Sequence, residues 1–320
     1  MANIKDIAKM AGVSVTTVSR VMNNQPYVSK EKREAVLKAV KESNYQRNIN
    51  AIHLKKGKTF LIGVVLPFSD HPYFAQLVKG IASEALKHNY KLVLFQTNYE
   101  ESRETEALDM LKHKQIDAVI ICSRICNWST IDEYVPYGPI VLCEDTRQKN
   151  VSSTFVDHYK SFSSALEYIN SKGHNKIGYC IGRRTGTNSK LREQAYRDFL
   201  KKINKPFHAD YIFDQCLNFE DGEQVIQTIK EMNDPPSALL VTSDQVAAGI
   251  VTCCQNENIS IPNDLAIVGF DNQPIAEMMG ITTFEIPLVE IGRKLFIQAF
   301  SNDTVSHEEV SGKLIERRTV

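Results

Sequence analysis

The 320-residue sequence predicts an all-α helix-turn-helix head followed by an α/β body of two doubly wound parallel-sheet lobes. Three observations carry this. Residues 3–23 hold two short helical apolar stripes separated by a glycine. From Phe60 onward the pattern changes to short apolar runs alternating with longer amphipathic segments. Charge is also split: residues 1–60 hold twelve Lys/Arg against four Asp/Glu. The whole chain has 38 of each, so the remainder is acidic by eight beneath a neutral total. The predicted boundaries are 1–45 for the head, 46–59 for a linker and 60–320 for the body.

In the head, Ile4, Ile7, Ala8 and Ala11 recur at helical spacing, with Asn3 as N-cap and Asp6 placed to reach back to it. Gly12 supplies a turn, and Ser14 caps a second helix with Val18, Val21 and Met22 on its inner face. Its outward residues, Val15, Thr16, Ser19 and Arg20, suit a helix lying in a DNA major groove. Methyls and hydroxyls touch base edges there, and Arg grips guanine through two hydrogen bonds. Spacing alone fits any pair of amphipathic helices equally well. The basic head on an acidic body favours phosphate contact at one end of the chain. A third helix, capped by Ser29 and running to about Ser43, has Val36, Leu37 and Val40 as its predicted buried face.

In the body, Leu61–Leu66, Leu92–Phe95, Ala118–Cys122 and Ile140–Cys143 read as buried parallel strands. Segments 73–88, 101–114 and 158–172 read as the helices among them. The alternation resumes with strand Lys176–Ile181, helix 190–203, a strand near Tyr211–Phe213, helix 220–232, strand Ala238–Thr242, helix 245–257 and strand Leu265–Gly269. Such alternation demands parallel sheets covered on both faces. A ligand is then expected between the two halves, at the carboxyl ends of the strands.

Several classes are excluded. No run approaches the roughly 18 apolar residues of a membrane span. No apolar core follows Met-Ala-Asn-Ile-Lys-Asp, so no export signal is predicted and the expected location is the cytoplasm, on the nucleoid when DNA-bound. Seven cysteines without regular spacing suit buried thiols in a reducing compartment, the adjacent Cys253 and Cys254 included. No phosphate loop, nucleophile elbow or His-Glu-x-x-His motif is present, so neither catalytic residues nor a metal or other cofactor are expected.

The run from Ile4 to Asn23 closely resembles the DNA-binding signature of the lactose/galactose repressor (LacI/GalR) family. That resemblance implies a homodimer on a palindromic double-stranded operator, with a sugar-like effector in a body shaped like a periplasmic binding protein. It also implies DNA contacts from Lys5, Ser14, Val15, Thr16, Thr17, Ser19, Arg20, Asn23, Tyr45 and Asn48. Residues 45–59 correspond to the family's hinge, in which a short helix pairs with its dimer mate at Ala51 and presses Leu54 into the minor groove. About nine residues cannot hold a helix alone in water, so this segment is expected to fold on DNA. Arg47 stands where the family usually has Pro, and Ile52 where it has Arg. The resemblance further implies that the chain crosses between lobes three times, with a segment near 288–300 returning to the first lobe.

The residues just past each strand supply the candidate effector contacts: Ser69, Asp70, Tyr73, Phe74, Asn98, Ser123, Glu144, Asp157, Arg192, Phe219, Asp244 and Asp271. Arg192, in Leu-Arg-Glu-Gln-Ala-Tyr, and Asp271, in Val-Gly-Phe-Asp-Asn, match the family's effector-gripping arginine and pocket-floor aspartate. Ala195 replaces the family's glycine, Glu144-Asp145 replaces Asp-Arg, and His158 replaces Asn. Glu144 reads equally well as a surface-loop acid. An Asp at a strand end is more often a helix cap than a ligand contact.

Segments 66–74, 137–146 and 243–249 resemble the catabolite-control-protein-B branch of Gram-positive bacteria. Some members of the catabolite-control group use a seryl-phosphorylated phosphocarrier protein as corepressor, so the alternative is a regulator driven by a protein corepressor without a small-molecule effector. A solute-binding protein would share the body, but the head argues against it.

Overall fold

The computed structural model describes residues 2–46, 57–301 and 304–320. Asn48, Ala51 and Leu54, with Arg47 and Ile52, lie outside the described residues. The chain separates into two compact units, Met1–Thr59 and Phe60–Val320.

In the first unit, α1 (Ile4–Met10) begins with a capping box. Asn3 Oδ1 accepts from the Lys5 and Asp6 amides, while Asp6 Oδ2 accepts from the Asn3 amide. Gly12 turns the chain with a left-handed φ of +63°. Ser14 caps α2 (Val15–Met22) by accepting from the Thr17 amide, a contact of about 1 kcal/mol. α3 (Lys30–Glu42) packs Val36 and Ala39 against Ile7, Ala8, Val18 and Val21. Two expectations fail here. Ser29 is the N-cap of α3 but makes no side-chain cap bond. Leu37 is 51% exposed and Ala39 takes its place in the core, because Leu37 lies about 100° around the helix from Val36 whereas Ala39 and Val40 flank it.

In the second unit, one six-stranded sheet has the order β11-β5-β4-β3-β1-β2 and the other β12-β10-β9-β8-β6-β7. Lobe 1 comprises β1 (Leu61–Leu66), α4 (Pro72–Lys87), β2 (Lys91–Gln96), α5 (Glu101–Lys112), β3 (Ala118–Ile121), α6 (Trp128–Tyr134), β4 (Ile140–Leu142) and β5 (Ser152–Phe155). Lobe 2 follows with α7 (His158–Ser171), β6 (Ile177–Cys180), α8 (Thr187–Lys202), β7 (Ile212–Phe213), α9 (Asp221–Glu231), β8 (Ala238–Val241), α10 (Asp244–Asn256), β9 (Ala266–Asp271), α11 (Pro274–Met279) and β10 (Thr282–Glu285). The chain then returns: α12 (Leu288–Phe300) packs on α4, and β11 (His307–Glu309) pairs with β5. Finally β12 (Lys313–Ile315) crosses back and pairs antiparallel with β10, the other pairings being parallel. The chain thus passes between lobes three times, as the resemblance implied.

Alternation along the strands feeds two faces. Ile62, Val64 and Leu66 of β1 join Leu77, Ile81 and Leu295 in a core that continues into lobe 2 through Phe162, Tyr179 and Phe270. Val65, Val119 and Leu142 face α5 and α6 instead. The outer face of lobe 2 is packed by α9 and α10, and Cys253 and Cys254 are part of that packing. All seven cysteines are buried and unbridged.

β2 corrects another expectation. It sits at the sheet edge with Leu94 half-exposed rather than buried on both faces. The strands near 152–155, 282–285, 307–309 and 313–315, and the short helices α6 and α11, escaped the sequence reading. Each is seven residues or fewer, too short for a clear period. Among the described residues no helix is long and apolar enough to cross a membrane.

Candidate functional site

The head offers a surface formed by α2. Val15, Thr16 and Arg20 are exposed on it, as is Lys5 on α1. The inner positions Val18 and Val21 are sealed in the core, which fixes the direction in which the outer face points. Ser14 and Thr17 are tied to each other, their hydroxyl oxygens 3.0 Å apart. Ser19 Oγ accepts from Asn23 Nδ2 at 3.4 Å. Tyr45 is half-buried against the head core.

Within the body a cleft, open at its mouth, lies between the lobes at the carboxyl ends of the strands, the place where open α/β sheets bind small molecules. Tyr73, Phe74, Ser123 and Glu144 line it from lobe 1, and Arg192 and Asp271 from lobe 2. The other six candidates do not. Ser69 Oγ donates to Gln96 Oε1 at 2.7 Å, and Gln96 Nε2 donates to Asn98 Oδ1 at 2.9 Å, so both join a rim network. Asp70 is exposed outside the lining. Asp157 is the N-cap of α7, accepting from the Lys160 amide at 2.9 Å. Phe219 packs against the lobe 2 core. Asp244 turns inward, accepting 2.7 Å bonds from Thr283 Oγ1 and the Gln273 amide. For Asp157 and Asp244, serving the fold has won over facing the cleft.

The cleft floor belongs to α8 and the end of β9. Arg192 Nη2 donates to His158 Nδ1 at 3.2 Å, so this ring carries its hydrogen on Nε2. Burial, and then the Arg192 charge, hold His158 well below the usual imidazole range. Arg192 sits 5.7 Å above the Phe270 ring, with its Nε buried and without a hydrogen-bond partner. Asp271 has a φ of +99°, strained for a residue with a Cβ. Its Oδ2 accepts from Gln273 Nε2 at 3.3 Å, while Oδ1 is buried without a partner. Burial, reinforced by Asp244, pushes the Asp271 carboxyl up to about 8. Ser243 Oγ, also in the lining, is buried without a partner. Buried polar atoms of this kind normally have partners, so three of them in one cleft leave bonding capacity that a polar ligand can complete.

Glu144 is no surface-loop acid. It is 8% exposed and ion-paired with Arg124 Nε, whose guanidinium also donates to the Cys126 carbonyl and stacks 4.3 Å from the Trp128 ring. The positive charge beside Glu144 thus comes from the segment that follows β3. Among the contacts that bridge the lobes, Arg124 Nη2 donates to Thr187 Oγ1 at 3.4 Å, and Arg183 lies 4.0 Å over the Tyr99 ring.

Several lining residues were missed. Cys122 and Cys143 were read as the last residues of strands, but the strands stop one residue earlier and leave both thiols at the cleft. α8 begins at Thr187 rather than 190, so Thr187, Asn188 and Ser189, within the 183–192 stretch that the sequence places at the cleft, form its first turn. Tyr99 follows β2 through two left-handed residues, φ +48° at Asn98 and +61° at Tyr99. No sequence signal marks a tyrosine for that conformation.

Residues 3–48 match the family described as bacterial regulatory proteins, lacI family. Residues 59–314 match periplasmic binding proteins and sugar binding domain of LacI family. The chain is 41% identical to the uncharacterised HTH-type transcriptional regulator YkvZ of Bacillus subtilis, over 100% of both chains. It is 37% identical to catabolite control protein B of the same organism, over 94% of each. A LacI family transcriptional regulator from Lactobacillus casei, solved with bound glucose, superposes with a TM-score of 0.75. That likeness covers 81% of this chain and 99% of the other at 24% identity, and is a likeness of fold.

Proposed function

Because the chain belongs to the LacI family of bacterial transcriptional regulators, we propose that it is a cytoplasmic repressor controlled by a small polyhydroxylated effector, a sugar or sugar phosphate, bound between the lobes. The observation that carries the effector half is the floor of the cleft, where Arg192 Nε, Asp271 Oδ1 and Ser243 Oγ are buried without partners. Hydroxyl groups both donate and accept, and they complement such a mixed set. For the DNA half, the support is the exposed face of α2, with Val15, Thr16 and Arg20 outward over a packed three-helix core.

The working unit in this proposal is a homodimer on a palindromic operator, with heads in successive major-groove half-sites. Exposed apolar side chains support it: Leu86 at 79% and Leu94 at 47% in lobe 1, and Met278 at 82% in lobe 2. A ligand favouring one closure of the lobes changes the spacing of the first lobes across the dimer and so biases DNA binding. A coupling of ~1–3 kcal/mol changes operator affinity about 5- to 150-fold.

The test is selection of the purified full-length chain on random duplexes at fixed salt. Enrichment of a palindrome, with its binding altered by members of a panel of sugars and sugar phosphates, is the expected result. Enrichment of a palindrome only in the presence of a phosphorylated carrier protein would favour a protein corepressor instead. A folded dimer that enriches nothing under either condition would overturn the proposal.

A further inference from the structure

Three arginines and two acids line the interlobe cleft, and their charges do not balance. Arg124 is neutralised by Glu144. Asp271, with its carboxyl pushed up to about 8 by burial, is largely protonated near neutral pH. The two lining histidines, His71 and His158, are kept neutral by burial. Among the described residues, Arg183 and Arg192 have no carboxylate within ion-pair distance. The cleft is therefore cationic.

Local geometry says where the charge is concentrated. Arg183 folds back over the start of α8, so that a Cβ added to Gly186 would lie 2.7 Å from Arg183 Nη2. Gly186 has a φ of +110°, a conformation that suits glycine. Ser189 Oγ donates to the Arg183 carbonyl at 2.6 Å and pins this turn. No side chain caps α8, so the amides of Thr187, Asn188 and Ser189 have no intrahelical acceptor. The partial positive charge of the helix is greatest there, and such a terminus is an anion site when a ligand reaches it. Arg192, further along the same helix, adds its buried and unpartnered Nε to the cleft.

We propose that the cleft ligand is an anionic polyhydroxylated molecule whose phosphate or carboxylate sits between the Arg183 guanidinium and the first turn of α8, with its hydroxyls toward Arg192 and Asp271. This rests on the effector reading above and narrows it. Thr187 accepts from Arg124 and Arg183 stacks on Tyr99, so an anion here lies beside two contacts that join the lobes and reports directly on their closure.

The experiment titrates the full-length protein with inorganic phosphate and, separately, with acetate, at ionic strength held constant with chloride. The melting temperature of the body is followed. Neither probe requires a matching sugar ring. A saturable rise with phosphate alone assigns a phosphate group, a rise with acetate alone a carboxylate, and a rise with both the shared anion chemistry. Arg183→Ala is expected to lose at least ten-fold in anion affinity, Arg183→Lys to retain part of it, and Arg20→Ala in the head to retain all of it. Arg183 is only partly buried, so these variants should fold. No saturable response to either anion, or an equal response in Arg183→Ala, would overturn the proposal. A response to neutral hexoses without any response to the anions would remove the charge and leave the effector cleft standing. Failure of operator enrichment would remove the reading beneath both.

Discussion

Gly80 and Gly292 meet backbone to backbone where α4 packs on α12. A Cβ on Gly80 would lie 2.1 Å from the Val289 carbonyl, and one on Gly292 would lie 2.2 Å from the Leu77 carbonyl. Neither obstacle is a flexible side chain. Gly292→Ala is therefore expected to push the returning helix off lobe 1. The cost is about 3 kcal/mol by the usual scale of overpacking, or a fall of roughly 6–12 °C in the melting temperature of a body of this size. Calorimetry checks it; an unchanged melting temperature would mean that the two helices are not in this contact.

Asp271 makes the stability of the body depend on pH. Its folded carboxyl, at about 8, lies far above its ordinary value of 3.8. Between those values the folded state holds a proton that the unfolded chain has released. The contribution is thus complete below about pH 4 and is lost as pH rises through about 8. Asp244, pushed up to about 7 mainly by burial, acts in the same direction. The melting temperature should decline between pH 6 and 9 and decline less steeply in Asp271→Asn. An identical slope in that variant would refute the assignment.

Arg192 joins α8 to α7 through His158 and faces Asp271. Arg192→Ala is expected to abolish the effect of the ligand on operator binding while leaving the ligand-free affinity within about two-fold, since the head folds around its own core. Electrophoretic mobility with and without ligand reads both quantities. Loss of DNA binding by a folded dimer of this variant would contradict the assignment.

Leu94 tests the dimer. It is half-exposed on the edge strand β2, and a charge there should not trouble the monomer. Leu94→Asp is expected to shift sedimentation toward monomer and to weaken operator binding at least ten-fold, without lowering far-ultraviolet ellipticity. A dimer that persists in this variant would move the interface elsewhere.

The sequence made the fold legible where period and length agreed. The strand Leu61–Leu66 has the bounds that its apolar run predicted, and the Asn3–Asp6 capping box is formed. It failed where an element was short or a tertiary partner decided the outcome. β11 and β12 span three residues each and exist because β5 and β10 offer open edges. The cleft was half legible for a similar reason. Residues after strands face it by topology, but which of them turn away depends on distant partners: Asp244 is claimed by Thr283, 39 positions along the chain. Tyr99 enters through left-handed backbone, which composition does not reveal.

The three crossings between lobes bear on how such a protein can change over generations. Lobe 1 takes its strands from before residue 156 but its covering helix and one edge strand from beyond 287. A recombination joining two related genes near codon 157 would set one parent's sheet against the other parent's α12, with the Gly80–Gly292 contact as the first casualty. A junction near residue 59 cuts no such contact within the body. Exchange of genetic material can thus more readily give an old sensor a new operator than give half a sensor a new half.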